Sequence, residues 1–315
     1  MKAKIFIDGR EGTTGLQIYE RLESRDDIEL ITISEELRKD TAARKECINA
    51  ADIVFLCLPD DAARESVALI ENEKTRVIDA STAHRTNPNW DYGFPELSSR
   101  RRAEIWASPR VANPGCHATG FLALVYPLIE ANILPKEAIL TCHSLTGYSG
   151  GGKSHIAQYT APDRPESFSA PRIYGLGLKH KHLPEMMAES GLKNAPMFTP
   201  VEADYYAGMA VSVLLHESQL TETVQSEELR DVLAVHYEKE KFITVNAFGE
   251  EESLDTPGFV EANALVGTNK MEILVYGNGA QTLLIARFDN LGKGASGAAV
   301  QNMNIMLGFD ETTGL

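Results

Sequence analysis

Apolar residues in the first third of the chain fall in short runs: Ile5-Phe6-Ile7 after Lys4, Ala51 to Leu58 with only Asp52 polar, and Val77-Ile78 before Asp79-Ala80, with Ile28 to Ile33 interrupted by Glu29 and Thr32. Such runs, without polar alternation, characterise strands buried on both faces of a parallel sheet. Between them the spacing turns helical, at Leu16, Ile18, Tyr19 and Leu22 and again over Asp60 to Ile70. Strands alternating with helices through residue 85 predict a doubly wound sheet of Rossmann type. From Ile139 the period changes. Ala138 to Thr146, Met209 to Leu215, Phe242 to Val245, Lys270 to Val275 and Thr282 to Phe288 read as strands of a mostly antiparallel sheet in a second, α+β domain. Ala298 to Gly308 reads as a C-terminal helix, entered through the glycine-rich turn Asp289 to Gly297 and small enough in its side chains to pack closely on the first domain. The α/β fold class therefore divides into residues 1–113 with 293–315, and residues 114–292.

Composition changes this picture little. Hydrophobic residues make up 43% and charged residues 24%, the balance of a globular chain with neither disorder nor a fibrous architecture. The formal net charge of −15 disfavours nucleic acid and anionic membrane as partners, so any bound anion needs a local basic pocket. The opening Met-Lys-Ala-Lys-Ile-Phe-Ile-Asp-Gly reads as a first strand and not a signal peptide. Four cysteines, Cys47, Cys57, Cys116 and Cys142, show no CxxC pairing, which argues against a disulfide framework or structural zinc and for a reducing cytoplasm.

Candidate chemistry gathers in a few stretches. Gly9, Gly12 and Gly15 lie between a predicted strand and a predicted helix, the context that gives a glycine trio weight as a dinucleotide turn. Helix N-terminal amides at Thr13 and Thr14 then hold the phosphates. After the second strand, Ser34, Arg38 and Lys39 suit a 2′-phosphate and Glu35 and Glu36 a bare ribose, with NADP the preferred reading. Ligands of such sheets collect beyond the carboxyl ends of the strands, which directs Leu58-Pro59 and Ser81 to Arg85 to one crevice. Arg85 is an anion-binding candidate or a surface arginine. Asn113-Pro114-Gly115-Cys116 turns sharply into an apolar helix, so the Cys116 thiol meets the unpaired N–H groups of a helix start. It reads as a nucleophile or as a small buried hydrophobe. Ser149, Gly150 and Lys153 belong to a glycine stretch that either cradles a phosphate or forms a flexible hairpin loop. Lys179-His180-Lys181-His182-Leu183-Pro184-Glu185 offers two histidines able to steady a thiolate and move a proton. No third ligand accompanies them at a recognised zinc spacing, so no metal is expected.

These motifs together resemble the N-acetyl-gamma-glutamyl-phosphate reductases of arginine biosynthesis, in their shorter type, within a superfamily that includes aspartate-semialdehyde dehydrogenases. Asn113 to Gly120, His180 to Glu185 and Asp289 to Gly308 carry most of the likeness, with the glycine turn, Phe55 to Pro59, Asp79 to Arg85 and Gly147 to Lys153 in support. The resemblance implies Cys116 as nucleophile, and His180 or His182 as acid/base. It implies NADP(H) bound at the first glycine turn and again at Gly292 and Gly294, and a catalytic domain that forms a homodimer or homotetramer. The implied reaction converts N-acetyl-L-glutamyl 5-phosphate to N-acetyl-L-glutamate 5-semialdehyde and phosphate through a cysteine thioester. Asn113, Glu185, Arg85, Ser149, Gly150 and Lys153 then face the substrate. A sibling reductase of aspartyl phosphate or N-acetyl-aminoadipyl phosphate is the nearest alternative. A non-catalytic NADP-binding sensor would need neither Cys116 nor His180. The family's usual arginine–glycine pair is missing from Tyr205-Tyr206-Ala207-Gly208, so no role transfers there.

Overall fold

A computed structural model describes residues 2–252 and 254–315; Met1, counted above with the first domain, lies outside the described residues. The chain divides into two compact units. One runs to Gly115 and resumes over Ala295–Leu315, and the other spans Cys116–Gly294.

In the first unit, β1 (Ala3–Asp8), β2 (Ile28–Ile31), β3 (Ile53–Leu56), β4 (Arg76–Asp79), β5 (Asp91–Tyr92) and β6 (Arg110–Ala112) form one sheet in the order 2-1-3-4-6-5. Every pairing is parallel. Successive residues feed opposite faces. Ile5, Ile7, Ile53, Phe55 and Ile78 pack with α1 (Thr13–Leu22) and with the C-terminal helix Gly297–Leu307 through Val300 and Met303. Phe6, Val54, Leu56 and Val77 pack on the other side with Ile48 of α2 (Thr41–Ala50) and Ala63 of α3 (Asp60–Ala68). Ile105 of α4 (Ser99–Ala107) joins the first face. The unbroken apolar runs exist because both faces are covered.

The second unit is built on α5 (Cys116–Glu130), α6 (Gly152–Thr160), α7 (Leu183–Ser190) and α8 (Ser226–Tyr237), with a seven-stranded sheet. Its strands are β7 (Thr141–Gly147), β8 (Arg172–Ile173), β9 (Met197–Ala203), β10 (Met209–His216), β11 (Ile243–Val245), β12 (Met271–Gly277) and β13 (Gln281–Phe288), in the order 11-12-13-10-7-9-8. Pairings β11–β12 and β7–β9 are parallel and the other four antiparallel, as expected for a mostly antiparallel sheet. The inward phase of β10, Val211, Val213 and Leu215, lies beneath α5, and the Tyr237 hydroxyl of α8 donates to the Ala123 carbonyl of α5 at 2.9 Å. Being covered on nearly all sides, α5 is apolar around almost its whole circumference. The glycine stretch at 147–153 is no open hairpin. The Tyr148 and Ser149 N–H groups bond to the Tyr205 and Tyr206 carbonyls at 3.0 and 2.9 Å, and the chain then turns directly into α6.

Candidate active site

In the first unit, β1 delivers the chain to a turn that only glycine can make. Gly9 has φ +87°, and a Cβ there would lie 2.4 Å from the Cys57 carbonyl oxygen; one on Gly15 would lie 2.5 Å from the Gly9 carbonyl oxygen. The start of α1, with Thr13 and Thr14, is thereby drawn down onto the turn. A cavity of about 560 Å3 opens beside it, lined among others by Gly9, Arg10, Tyr19, Arg38, Lys39 and Leu58. Two buried polar atoms here, Arg10 Nε and Thr13 Oγ1, have no protein hydrogen-bond partner. The Arg10 guanidinium stacks on the Tyr19 ring at 3.4 Å. Donors without acceptors beside a helix N-terminus, three nearby cations and a cleft of this size fit the phosphates of a dinucleotide. Ser34 is exposed in the loop after β2 and Pro59 precedes α3.

The loop after β4 is tied into the framework of this unit. Asp79 accepts from Ser81 Oγ at 2.8 Å and lies 2.6 Å from His84 Nδ1. Buried Arg85 donates from Nε to the Asn113 carbonyl at 2.9 Å and from Nη2 to the Ala80 carbonyl at 3.2 Å. The Asn113 amide donates to the Ala295 carbonyl and accepts from Asn302, at 3.0 and 3.1 Å. Ser81, Arg85 and Asn113 thus hold backbone in place, whatever else they touch.

In the second unit, Cys116 stands at the first position of α5 and is only partly covered. Its Sγ and ring nitrogens of His117 and His182 all lie within 4.8 Å of one another. His182 immediately precedes α7, is buried, and has Nε2 at 3.9 Å from the fully buried Glu185 carboxylate, one helical turn on. The His182 backbone N–H donates to His180 Nδ1 at 3.2 Å, which makes that nitrogen the unprotonated one. The His117 ring sits 5.3 Å from His180 and 5.4 Å from His182. Its nitrogens meet Ser144 Oγ and the Tyr174 hydroxyl, both at 2.7 Å. Burial, with His180 and Lys181 adding like charge, pulls the His117 pKa down to about 3 and keeps the imidazole neutral. Burial likewise pushes the Tyr174 phenol far up, and negative charge at Cys116 acts in the same sense. The Cys57 and Cys142 thiols are pushed up by burial.

Gly294 packs on the thiol-bearing residue itself: a Cβ there would be 2.9 Å from the Cys116 Cβ. Gly292 faces the Thr268 carbonyl, at 2.1 Å from its would-be Cβ. Ser149 Oγ accepts from Asn290 Nδ2 at 3.1 Å, Gly150 closes the turn, and Lys153 is exposed in the first turn of α6. His117 follows Cys116 directly on α5, where successive helical residues point in different directions. The ring lies close to the thiol all the same, and His180 and His182 converge on it from another element. Ser144 had a visible sign, a polar residue on the inward phase of β7 between Cys142 and Thr146. Tyr174 had none.

Residues 4–105 match the family described as semialdehyde dehydrogenase, NAD binding domain, and residues 116–290 its dimerisation domain. The chain belongs to the semialdehyde dehydrogenase family. Within that family it is 47% identical to N-acetyl-gamma-glutamyl-phosphate reductase 2 of a Nostoc species over 100% of this chain and 99% of the relative. It is 49% identical to N-acetyl-gamma-glutamyl-phosphate reductase of a Chelativorans species, over 98% and 99%. Aspartate semialdehyde dehydrogenase II of Vibrio cholerae superposes with TM-score 0.74 at 16% identity, covering 98% of both chains, and so shares the fold. Membership makes the chain an oxidoreductase that takes a nicotinamide cofactor. No helix among the described residues is long and apolar enough to cross a membrane.

Proposed function

We propose that the chain is an NADPH-dependent N-acetyl-gamma-glutamyl-phosphate reductase, working in arginine biosynthesis in the cytoplasm as a homodimer or homotetramer. The observation that carries the reading is the convergence of Cys116, His182 and Glu185 at the head of α5 in a chain nearly half identical to reductases of that name. Cys116 attacks the acyl carbon of N-acetyl-L-glutamyl 5-phosphate as thiolate. A carbon–sulfur bond forms, the carbon–oxygen bond to phosphorus breaks, and phosphate leaves with that electron pair. N–H groups at the start of α5 stabilise the tetrahedral oxyanion. His182, with Glu185 beside it, takes the thiol proton and passes it to the departing phosphate oxygen, with His180 as second proton carrier. When bound, a reduced nicotinamide would supply the hydride that the thioester carbon accepts. Collapse then returns the bonding pair to Cys116 Sγ and releases N-acetyl-L-glutamate 5-semialdehyde.

The dinucleotide is held by Gly9, Gly12 and Thr13 to Gly15, with Arg10, Leu58 and Pro59 beside them. Arg38 and Lys39, near Ser34, face a 2′-phosphate. Lys153, Ser149 and Gly150 supply donors for the leaving phosphate. Phosphate-dependent oxidation of N-acetyl-glutamate semialdehyde, followed with NADP+ and with NAD+, tests the whole reading. Turnover faster with NADP+, and abolished in Cys116→Ser, is expected. Preference for aspartate semialdehyde or the aminoadipyl analogue would reassign the substrate, and an active Cys116→Ser would overturn the mechanism.

A further inference from the structure

We propose that the head of α5 is also a binding site for a soft divalent cation, Zn2+ or Cd2+, held by Cys116 Sγ and by one nitrogen each of His117 and His182, and that occupancy silences the thiol. Spacing along the chain argued against zinc because His180 and His182 lack a third ligand nearby in sequence. Folding supplies the missing ligands from α5, where Cys116 and His117 enter together. One thiolate and two imidazoles match the borderline-soft character of zinc. With Zn–S of about 2.3 Å and Zn–N of about 2.0 Å, tetrahedral ligand atoms lie roughly 3.5 Å apart, so atoms now within 4.8 Å of one another close by roughly 1.3 Å at most. Rotation of the partly exposed Cys116 side chain between rotamers supplies movement of that order.

The surroundings match those of metal-binding histidines, whose second nitrogen is held by an outer partner. If His117 gives one nitrogen to the metal, the other keeps its 2.7 Å bond to Ser144 or to Tyr174. Glu185 lies 3.9 Å from His182 Nε2, within ion-pair range of the second ring. Partial exposure of Cys116 admits an ion from solvent. Binding releases the thiol proton to water, forms one metal–sulfur and two metal–nitrogen bonds, and leaves a fourth position to water. No oxidation state changes. Among the described residues no other three histidine, cysteine, aspartate or glutamate side chains converge this way.

The test needs no substrate. Co2+ is titrated into the full-length chain, and the thiolate-to-metal charge-transfer band is followed in the near ultraviolet. A saturable band, displaced by Zn2+ and absent in Cys116→Ser, is expected, with Cys142→Ala unchanged. Zn2+ should also protect Cys116 from iodoacetamide until EDTA is added. His117→Gln and His182→Gln should each weaken Co2+ affinity about tenfold or more. Circular dichroism confirms that each variant is folded, and if His117→Gln is not, His182→Gln decides alone. No band, a band retained in Cys116→Ser, or unchanged affinity in the folded histidine variants would overturn the site.

Discussion

Gly294→Ala probes how closely the chain holds its thiol. The added carbon would stand 2.9 Å from the Cys116 Cβ and 3.3 Å from both the Asp289 carbonyl oxygen and Phe288 Cε2. Carbon–carbon contacts are optimal at about 3.5–4.0 Å, so the shortfall against Cys116 is roughly 0.6–1.1 Å. Asp289 cannot yield readily, since its carboxylate accepts from the Gly267 and Leu291 N–H groups at 2.9 Å each and its carbonyl from Gly294. Phe288 is fully buried at the end of β13. The strain therefore falls on Cys116. Overpacking of this kind costs about 1–3 kcal/mol, read as a lower urea midpoint. Displacing a nucleophile by about 1 Å costs on the order of 100-fold, read in kcat. The iodoacetamide rate at Cys116 should shift with it, while the dinucleotide KM stays near wild type. If instead kcat and alkylation hold and only the dinucleotide KM rises, Gly294 serves the cofactor, as the family resemblance implies, and the packing argument fails.

His117 predicts a pH dependence of stability. Its folded pKa is about 3 against an ordinary 6.5, so the unfolded chain binds the proton first on acidification. The stabilising contribution is whole above pH 6.5 and is lost as pH falls toward 3, at up to about 1.4 kcal/mol per pH unit. Urea midpoints between pH 6 and 4 should flatten in His117→Gln, and equal slopes in both proteins would rule the assignment out. Tyr174→Phe strips one partner from the same buried ring and should cost about 1–3 kcal/mol in urea, whereas an unchanged midpoint would show that the 2.7 Å bond is not worth keeping. Gly9→Ala puts a side chain at φ +87° and 2.4 Å from a carbonyl oxygen. It should destabilise the first unit by more than the roughly 1–2 kcal/mol of a left-handed residue alone; normal stability would mean the turn can be made without glycine. Arg38→Ala should raise KM for NADPH about tenfold and leave NADH untouched, by loss of one charge-assisted phosphate contact, and parallel changes would place Arg38 elsewhere.

Much of the architecture was legible because period reports environment directly. Ile53 to Leu56 could be read as a doubly covered strand since nothing polar interrupts it, and β10 as half-covered since its residues alternate. Short or polar-rich elements escaped: β5 is two residues long, and β8 and α7 flank the histidine segment without a clear apolar period. Their positions are set by the packing and hydrogen bonds of neighbouring elements.

By itself the sequence determined that a glycine turn joins β1 to α1, that a cysteine opens an apolar helix, and that two histidines stand together 64 residues after it. Those are local matters, governed by dihedral freedom and side-chain spacing. That His117 and His182 approach the thiol, that Ser144 and Tyr174 hold His117, and that Gly294 packs on Cys116 were decided only by tertiary structure. Sulfur and nitrogen come within 4.8 Å because α5 is clamped between its sheet and α7, a contact between segments that share no local rule.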